Sequence, residues 1–114
     1  MEKFLVLYLA PIAGLEAWMQ TDESIRKPAE EKMRSEWDQW MEANEGRVFD
    51  TSGAGKTKLV TADGVSDSRN DVMLYSLVEA PSHDEAAQMF VGHPHFGIPG
   101  ATIEIMQVNN LGMQ

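Results

Sequence analysis

The chain contains no cysteine. Disulfides, thiolate metal sites and a cysteine nucleophile are therefore excluded. Basic residues are scarce: 9 Lys and Arg stand against 18 Asp and Glu, a formal net charge of -9. A nucleic-acid surface needs a basic stripe to neutralise phosphates. The nearest approach to one is Lys56 and Lys58, so no nucleic-acid partner is expected. An anionic membrane surface is disfavoured on the same ground, and no run approaches the roughly 20 apolar residues of a membrane-spanning helix. The apolar start at 4–10 is at the short end of an export-signal core, and Pro11 interrupts it. It reads as a buried first strand, and the expected location is cytoplasmic.

What is present is ordinary globular material. At 114 residues the chain fits one domain, 1–114, and its 43% apolar content argues against disorder over its whole length. A domain this short buries a smaller fraction of its surface than a large one, so pairing with a second copy is a natural way to bury more.

Phe4, Leu5, Val6, Leu7, Tyr8 and Leu9 are apolar at both parities, which predicts a strand covered on both faces and central in a sheet. Segment 11–21 reads as a loop or a short irregular helix carrying Trp18 and Met19. The strongest helix is predicted over 24–45, with Met33, Trp37, Trp40, Met41 and Asn44 on one side at helical spacing. Asp22 or Ser24 can cap it, Pro28 suits a first turn and Gly46 suits its exit. Residues 47–50 read as a short strand, 51–55 as a flexible connection and 56–61 as β-prone. Segment 62–70, rich in Asp, Gly and Ser, reads as turn or loop with Asp63-Gly64 at the bend. A long strand at 71–80 follows, with Met73, Tyr75 and Leu77 on one face and Val72, Leu74, Ser76 and Val78 on the other. Ser82-His83-Asp84-Glu85 is a capping box opening a second helix, which Gly92 and Pro94 stop. The last strand is predicted over 101–108, and 109–114 reads as a polar tail.

Two helices among four core strands suggest a split βαβ unit repeated once. The expected fold is α+β: a ferredoxin-like βαββαβ antiparallel sheet with both helices on one face. The opposite face would then expose apolar side chains of the strands at 4–9, 71–80 and 101–108. A patch of that kind needs a cover. A homodimer with a two-fold axis supplies one.

Three stretches carry a family resemblance. They are the first strand, Lys3 to Tyr8; Leu59-Val60-Thr61-Ala62-Asp63-Gly64-Val65; and the run from Gly92-His93-Pro94-His95-Phe96 through Pro99-Gly100 to Ile105. Together they resemble the YCII-related proteins, small members of the dimeric α/β barrel superfamily. The second stretch is similar to the "LVTDGPF" segment of the DGPF branch, with Ala62 inserted and Val65-Ser66 in place of Pro-Phe. The resemblance implies a ferredoxin-like subunit, a homodimer with sheets packed face to face, and a cleft between helices and sheet. Some YCII-like members have a proposed His-Asp pair whose His follows the first strand. This chain has no His between Pro11 and Arg47, so such a pair is absent here or rebuilt elsewhere.

The candidate chemistry centres on His93 and His95. An H-x-H pair puts both imidazoles on one side of an extended segment. With a carboxylate such as Asp63, Asp67 or Glu104 they can act as acid and base, or ligate a divalent metal. Two His without a third recognisable ligand make a thin metal signal, so no metal and no cofactor is expected. The plainer reading is that His93 sits at a helix C-terminus, where a cation is favoured, and that His95 packs in a loop. The expected catalytic set is His93, His95 and Asp63, with Tyr8, Trp18, Ser66 and Phe96 contacting the substrate. Trp37 and Trp40 read as core. Gly53-Ala54-Gly55-Lys56-Thr57 has the end of a phosphate-binding loop, but Asp50 stands where its first Gly belongs and a strand follows instead of a helix. The function these residues point to is cofactor-independent proton transfer on a small cyclic or aromatic compound. Its alternative is a non-catalytic dimeric module that binds a small molecule or a protein.

Overall fold

The computed structural model describes residues 1–111. The elements in order are β1 (Glu2–Leu9), α1 (Ile12–Met19), α2 (Glu23–Ala43), β2 (Val48–Gly53), β3 (Thr57–Thr61), β4 (Gly64–Ser68), β5 (Val72–Ala80), α3 (His83–Gln88), a 3-10 turn (Pro94–Gly97) and β6 (Thr102–Gln107). Four strands form one antiparallel sheet in the order β2-β5-β1-β6. With the β3–β4 ribbon set aside as an insertion, this is the ferredoxin-like order. β1 is central, as its apolar residues at both parities require.

The period-2 alternation of β1 sets the two faces of the sheet. Phe4, Val6 and Tyr8 are fully buried and meet Val78, Ala80, Ala86 and Phe90, with Trp37 and Trp40 packed against them. Thus α2 and α3 cover the same face. Leu5, Leu7 and Leu9 point the other way. The register places Met106, Leu5 and Leu77 in one row across three strands, and Tyr75 beside Leu7. Among the described residues no helix covers this row: Leu77 is 40% exposed and Met106 39%.

Helix α2 starts where the Asp22 carboxylate accepts the Ser24 amide at 2.9 Å, so Asp22 is the cap. Pro28 therefore lies past the first turn, inside the helix, where it withholds one backbone hydrogen bond. At α3 the Ser82 hydroxyl accepts from the Glu85 amide at 3.2 Å, the capping contact expected from the sequence. The helix is short, ending at Gln88. His83, in its first turn, bonds the Ile105 carbonyl oxygen at 2.8 Å and stacks on Phe4, tying α3 to the edge strand β6.

Three segments differ from the sequence reading. Segment 11–21, left open as loop or irregular helix, holds the eight-residue helix α1, with Ile12, Leu15 and Met19 along one side. β2 runs on to Gly53, into the stretch read as a flexible connection. Segment 62–70, read as turn or loop, contains β4, which pairs with β3 in a two-stranded ribbon. Only Ala62 and Asp63 form the bend. Gly64 begins β4 with φ of 131°, a conformation that an L side chain strains to adopt. The ribbon stands apart from the main sheet, so neither of its faces needs an apolar alternation, and periodicity had nothing to detect. Residues 112–114 of the expected polar tail lie outside the described residues.

Candidate functional site

Two places combine chemistry with geometry. The first lies inside the helix-covered face. Gly92, with φ of 74°, turns the chain out of the α3 region, and the 3-10 turn folds back under α2. This carries His93 and His95 into the core, where they are 1% and 0% exposed. His93 Nδ1 accepts the His95 backbone N–H at 3.0 Å, capping the turn. A neutral His93 ring therefore holds its proton on Nε2, which has no hydrogen-bond partner among the described residues. That ring is boxed by Trp37 at 4.4 Å, Trp40 at 4.6 Å, Tyr8 at 5.5 Å and Phe90 at 5.8 Å between centroids. His95 Nε2 lies 2.9 Å from the Leu9 carbonyl oxygen. A carbonyl only accepts, so Nε2 carries the proton and Nδ1 keeps the lone pair.

Burial sets the electrostatics. It pushes the His93 imidazole down to about 4, and the neighbouring His95 adds to the shift. His95 is also lowered by burial, with hydrogen bonding to the backbone of Leu9 and Thr102 drawing it part of the way back. Both rings are neutral near pH 7. Tyr8 is raised by burial, partly offset by its hydroxyl's 2.9 Å bond to Ser76 Oγ. Ser76 Oγ is in turn 2.8 Å from Thr51 Oγ1. A chain of three hydroxyls thus runs from the buried phenol to the edge strand β2.

The fold brings Tyr8, His93 and His95 together. Phe96 is beside them, its ring 6.3 Å from His95, yet 47% exposed. The other expected site residues lie elsewhere. Asp63 is at the bend of the ribbon and Ser66 is within β4; both are exposed. Trp18 is half-buried on α1. Asp67 contacts the Lys58 ammonium on the ribbon. Glu104 pairs with Leu7 on the uncovered sheet face, the side away from the imidazoles. Among the described residues no group of three or more His, Asp or Glu is arranged to hold a metal.

The second place is an open cleft of about 1020 Å³ at the end of the sheet where β1 leaves and β5 begins. One wall is α1, presenting Ile12, Leu15 and Met19. The other runs from the β2–β3 link through the base of the ribbon to Met73, and carries Lys56, Arg69 and Asp71. None of the seven residues expected to form the site lines it. The signal that could have revealed it was the spacing of Ile12, Leu15 and Met19, apolar at i, i+3 and i+7. The cleft and the imidazoles share a backbone support. His95 holds the Leu9 carbonyl, and the next residue, Ala10, donates its N–H to the Asp71 carbonyl at 2.9 Å. At Gly100, with φ of 76°, a Cβ would come within 2.9 Å of Pro11 Cγ. The loop before β6 therefore packs tightly against the start of α1.

Fold and topology define an α+β subunit with a ferredoxin-like antiparallel sheet. Among solved structures the chain is similar to 5-chloro-2-hydroxyhydroquinone dehydrochlorinase from Burkholderia phenoliruptrix, determined in complex with 2,5-dihydroxybenzoquinone. The TM-score is 0.51 and the identity 12%, over 90% of each chain. At that identity the likeness is one of fold. No protein-family model and no curated protein matches the chain.

Proposed function

We propose that this chain is a YCII-like protein that works as a homodimer and binds a small organic molecule in the cleft between α1 and the base of the β3–β4 ribbon. The observation that carries this reading is the cleft itself. Its volume is at the upper end for small-molecule sites, and it sets an apolar wall on α1 against a wall of mostly polar and charged residues. The solved neighbour of the same fold has a small cyclic compound bound, which supports the ligand class at the level of fold alone.

The dimer is supported by the uncovered face. Leu5, Leu77 and Met106 form one apolar row, with Leu7 and Tyr75 in a neighbouring row that ends at Glu104, a patch that a second copy could match about a two-fold axis. The single chain is also spread out. Its radius of gyration is 16.3 Å and one dimension is only 18 Å, whereas a compact chain of this length has a radius near 13 Å. An isolated two-stranded ribbon such as β3–β4 is marginal in water. Val60 and Val65, opposite each other on it, are 71% and 69% exposed.

A second reading keeps acid–base catalysis with His93 and His95. It is favoured by the buried lone pair on His95 Nδ1, which has no hydrogen-bond partner among the described residues. Depressed imidazoles of this kind cluster at functional sites. It requires the 3-10 turn to open, since both rings are sealed. One experiment separates the readings. Amide chemical shifts are followed while a panel of lactones, quinones and cyclic acids is added. Saturable shifts at Ile12, Leu15, Lys56 and Met73 are expected. Shifts confined to residues 93–96, with turnover lost in His95→Ala, would replace the cleft reading by the catalytic one. No saturable shift anywhere would overturn both.

A further inference from the structure

Resting on the reading of the cleft as a ligand site, we infer that its ligand is a small organic anion with an apolar body, held at its charged end by Lys56. Three cations line the cleft: Lys56, Lys58 and Arg69. Two are already engaged, Lys58 with Asp67 and Arg69 Nη2 with Glu16 Oε1 at 3.3 Å. Lys56 makes no ion pair or hydrogen bond among the described residues. It follows Gly55, beside which a Cβ would meet nothing within 4 Å. Space for a ligand's charged end is therefore open next to it.

Opposite stands the apolar side of α1, which suits a ring or branched hydrocarbon. The pairing of an apolar wall with an unpaired ammonium discriminates between a neutral apolar compound and its carboxylate. The Arg69–Glu16 pair adds a second cation. Both side chains are well exposed, at 69% and 60%, and an exposed pair of this kind is weakly held. Arg69 can therefore exchange Glu16 for an entering carboxylate at little cost. With a net charge of -9 on the whole chain, long-range attraction does not favour an anion, so its retention must come from these local cations. Asp71, the lining carboxylate outside the two pairs, suits a hydroxyl or amide donor elsewhere on the ligand.

The test compares 1-naphthoate with its neutral counterpart 1-naphthamide, by calorimetric titration into the full chain and its Lys56→Gln variant. Lys56 is exposed, so the variant should fold. The carboxylate is expected to bind about fivefold tighter than the amide, as one exposed charge contact allows. Added salt should erode that preference. Lys56→Gln should reduce it to what Arg69 alone supplies, and a preference undiminished in Lys56→Gln would overturn the assignment to Lys56. Equal binding of both compounds, unaffected by Lys56→Gln, would overturn the anion inference and leave the cleft as a ligand site. If neither compound binds in the titration, the cleft reading falls and this inference with it.

Discussion

Replacing Tyr8 by Ala is expected to destabilise the fold by about 3–5 kcal/mol, the usual range for removing a buried aromatic ring. Tyr8 is 0% exposed and is the hub of the helix-covered face. Its ring centroid lies 5.4 Å from Trp37, 5.5 Å from both His93 and His95, and 6.1 Å from Phe90. Truncation removes those contacts and leaves a void beneath α2. That helix has no fully buried residue of its own and is held through Trp37 and Trp40. Tyr8→Phe keeps the ring and deletes only the hydroxyl bonded to Ser76, which retains Thr51. It should cost about 1 kcal/mol. Urea titration followed by tryptophan fluorescence measures both. A domain of this size has roughly 5–15 kcal/mol in total, so Tyr8→Ala should populate unfolded chain at moderate temperature. Equal small losses from both variants would show that the aromatic box does not support the fold.

Acid should destabilise the protein through His93. Burial holds this imidazole at about 4, against an ordinary value of 6.5. Between those values the unfolded chain binds a proton that the folded chain refuses. Stability is therefore fully present above about pH 6.5, falls as the pH drops through the window, and levels off below about 4. The whole span corresponds to about 3 kcal/mol. His95, also lowered, acts in the same direction. Asp22 is held below its ordinary 3.8 by the Ser24 backbone and hydroxyl, so its own loss comes at lower pH and does not blur the window. Urea unfolding at a series of pH values gives the slope. His93→Asn retains an acceptor for the His95 amide but does not titrate. It should lower stability at neutral pH and flatten the slope. A wild-type curve flat between pH 6.5 and 4 would contradict a neutral, sealed His93.

Legibility in the sequence followed burial. β1 was readable because its residues are apolar at both parities, the mark of a strand flanked by β5 and β6 and packed below. The α2 stripe of Trp37 and Trp40 was readable because it packs on the core. β4 was not, since Ser66, Asp67 and Ser68 lie on a ribbon away from any core and carry no pattern to read. In α1, Pro11 and Gly14 obscured a helix whose single apolar side faces a cleft and not the interior. The chemistry-bearing types His93, His95 and Tyr8 were visible, and their convergence is real. Their depth was not visible: burial depends on α2 closing over a turn more than fifty residues away in the chain. The cleft joins α1 to residues 54–58 and 67–73; the spacing of Ile12, Leu15 and Met19 marks one wall, and one sequence holds no local sign of the other.

The uncovered face of the sheet is the premise on which the homodimer reading stands. Sedimentation equilibrium over a wide range of concentration tests it most directly, with Leu77→Lys as the comparison because that side chain belongs to the apolar row and is already 40% exposed. The expected result is a particle of two chains for the natural sequence and of one chain for the variant, both with the same far-ultraviolet dichroism. A natural chain that sediments as a single folded copy at every concentration, its leucines in water, would contradict the account.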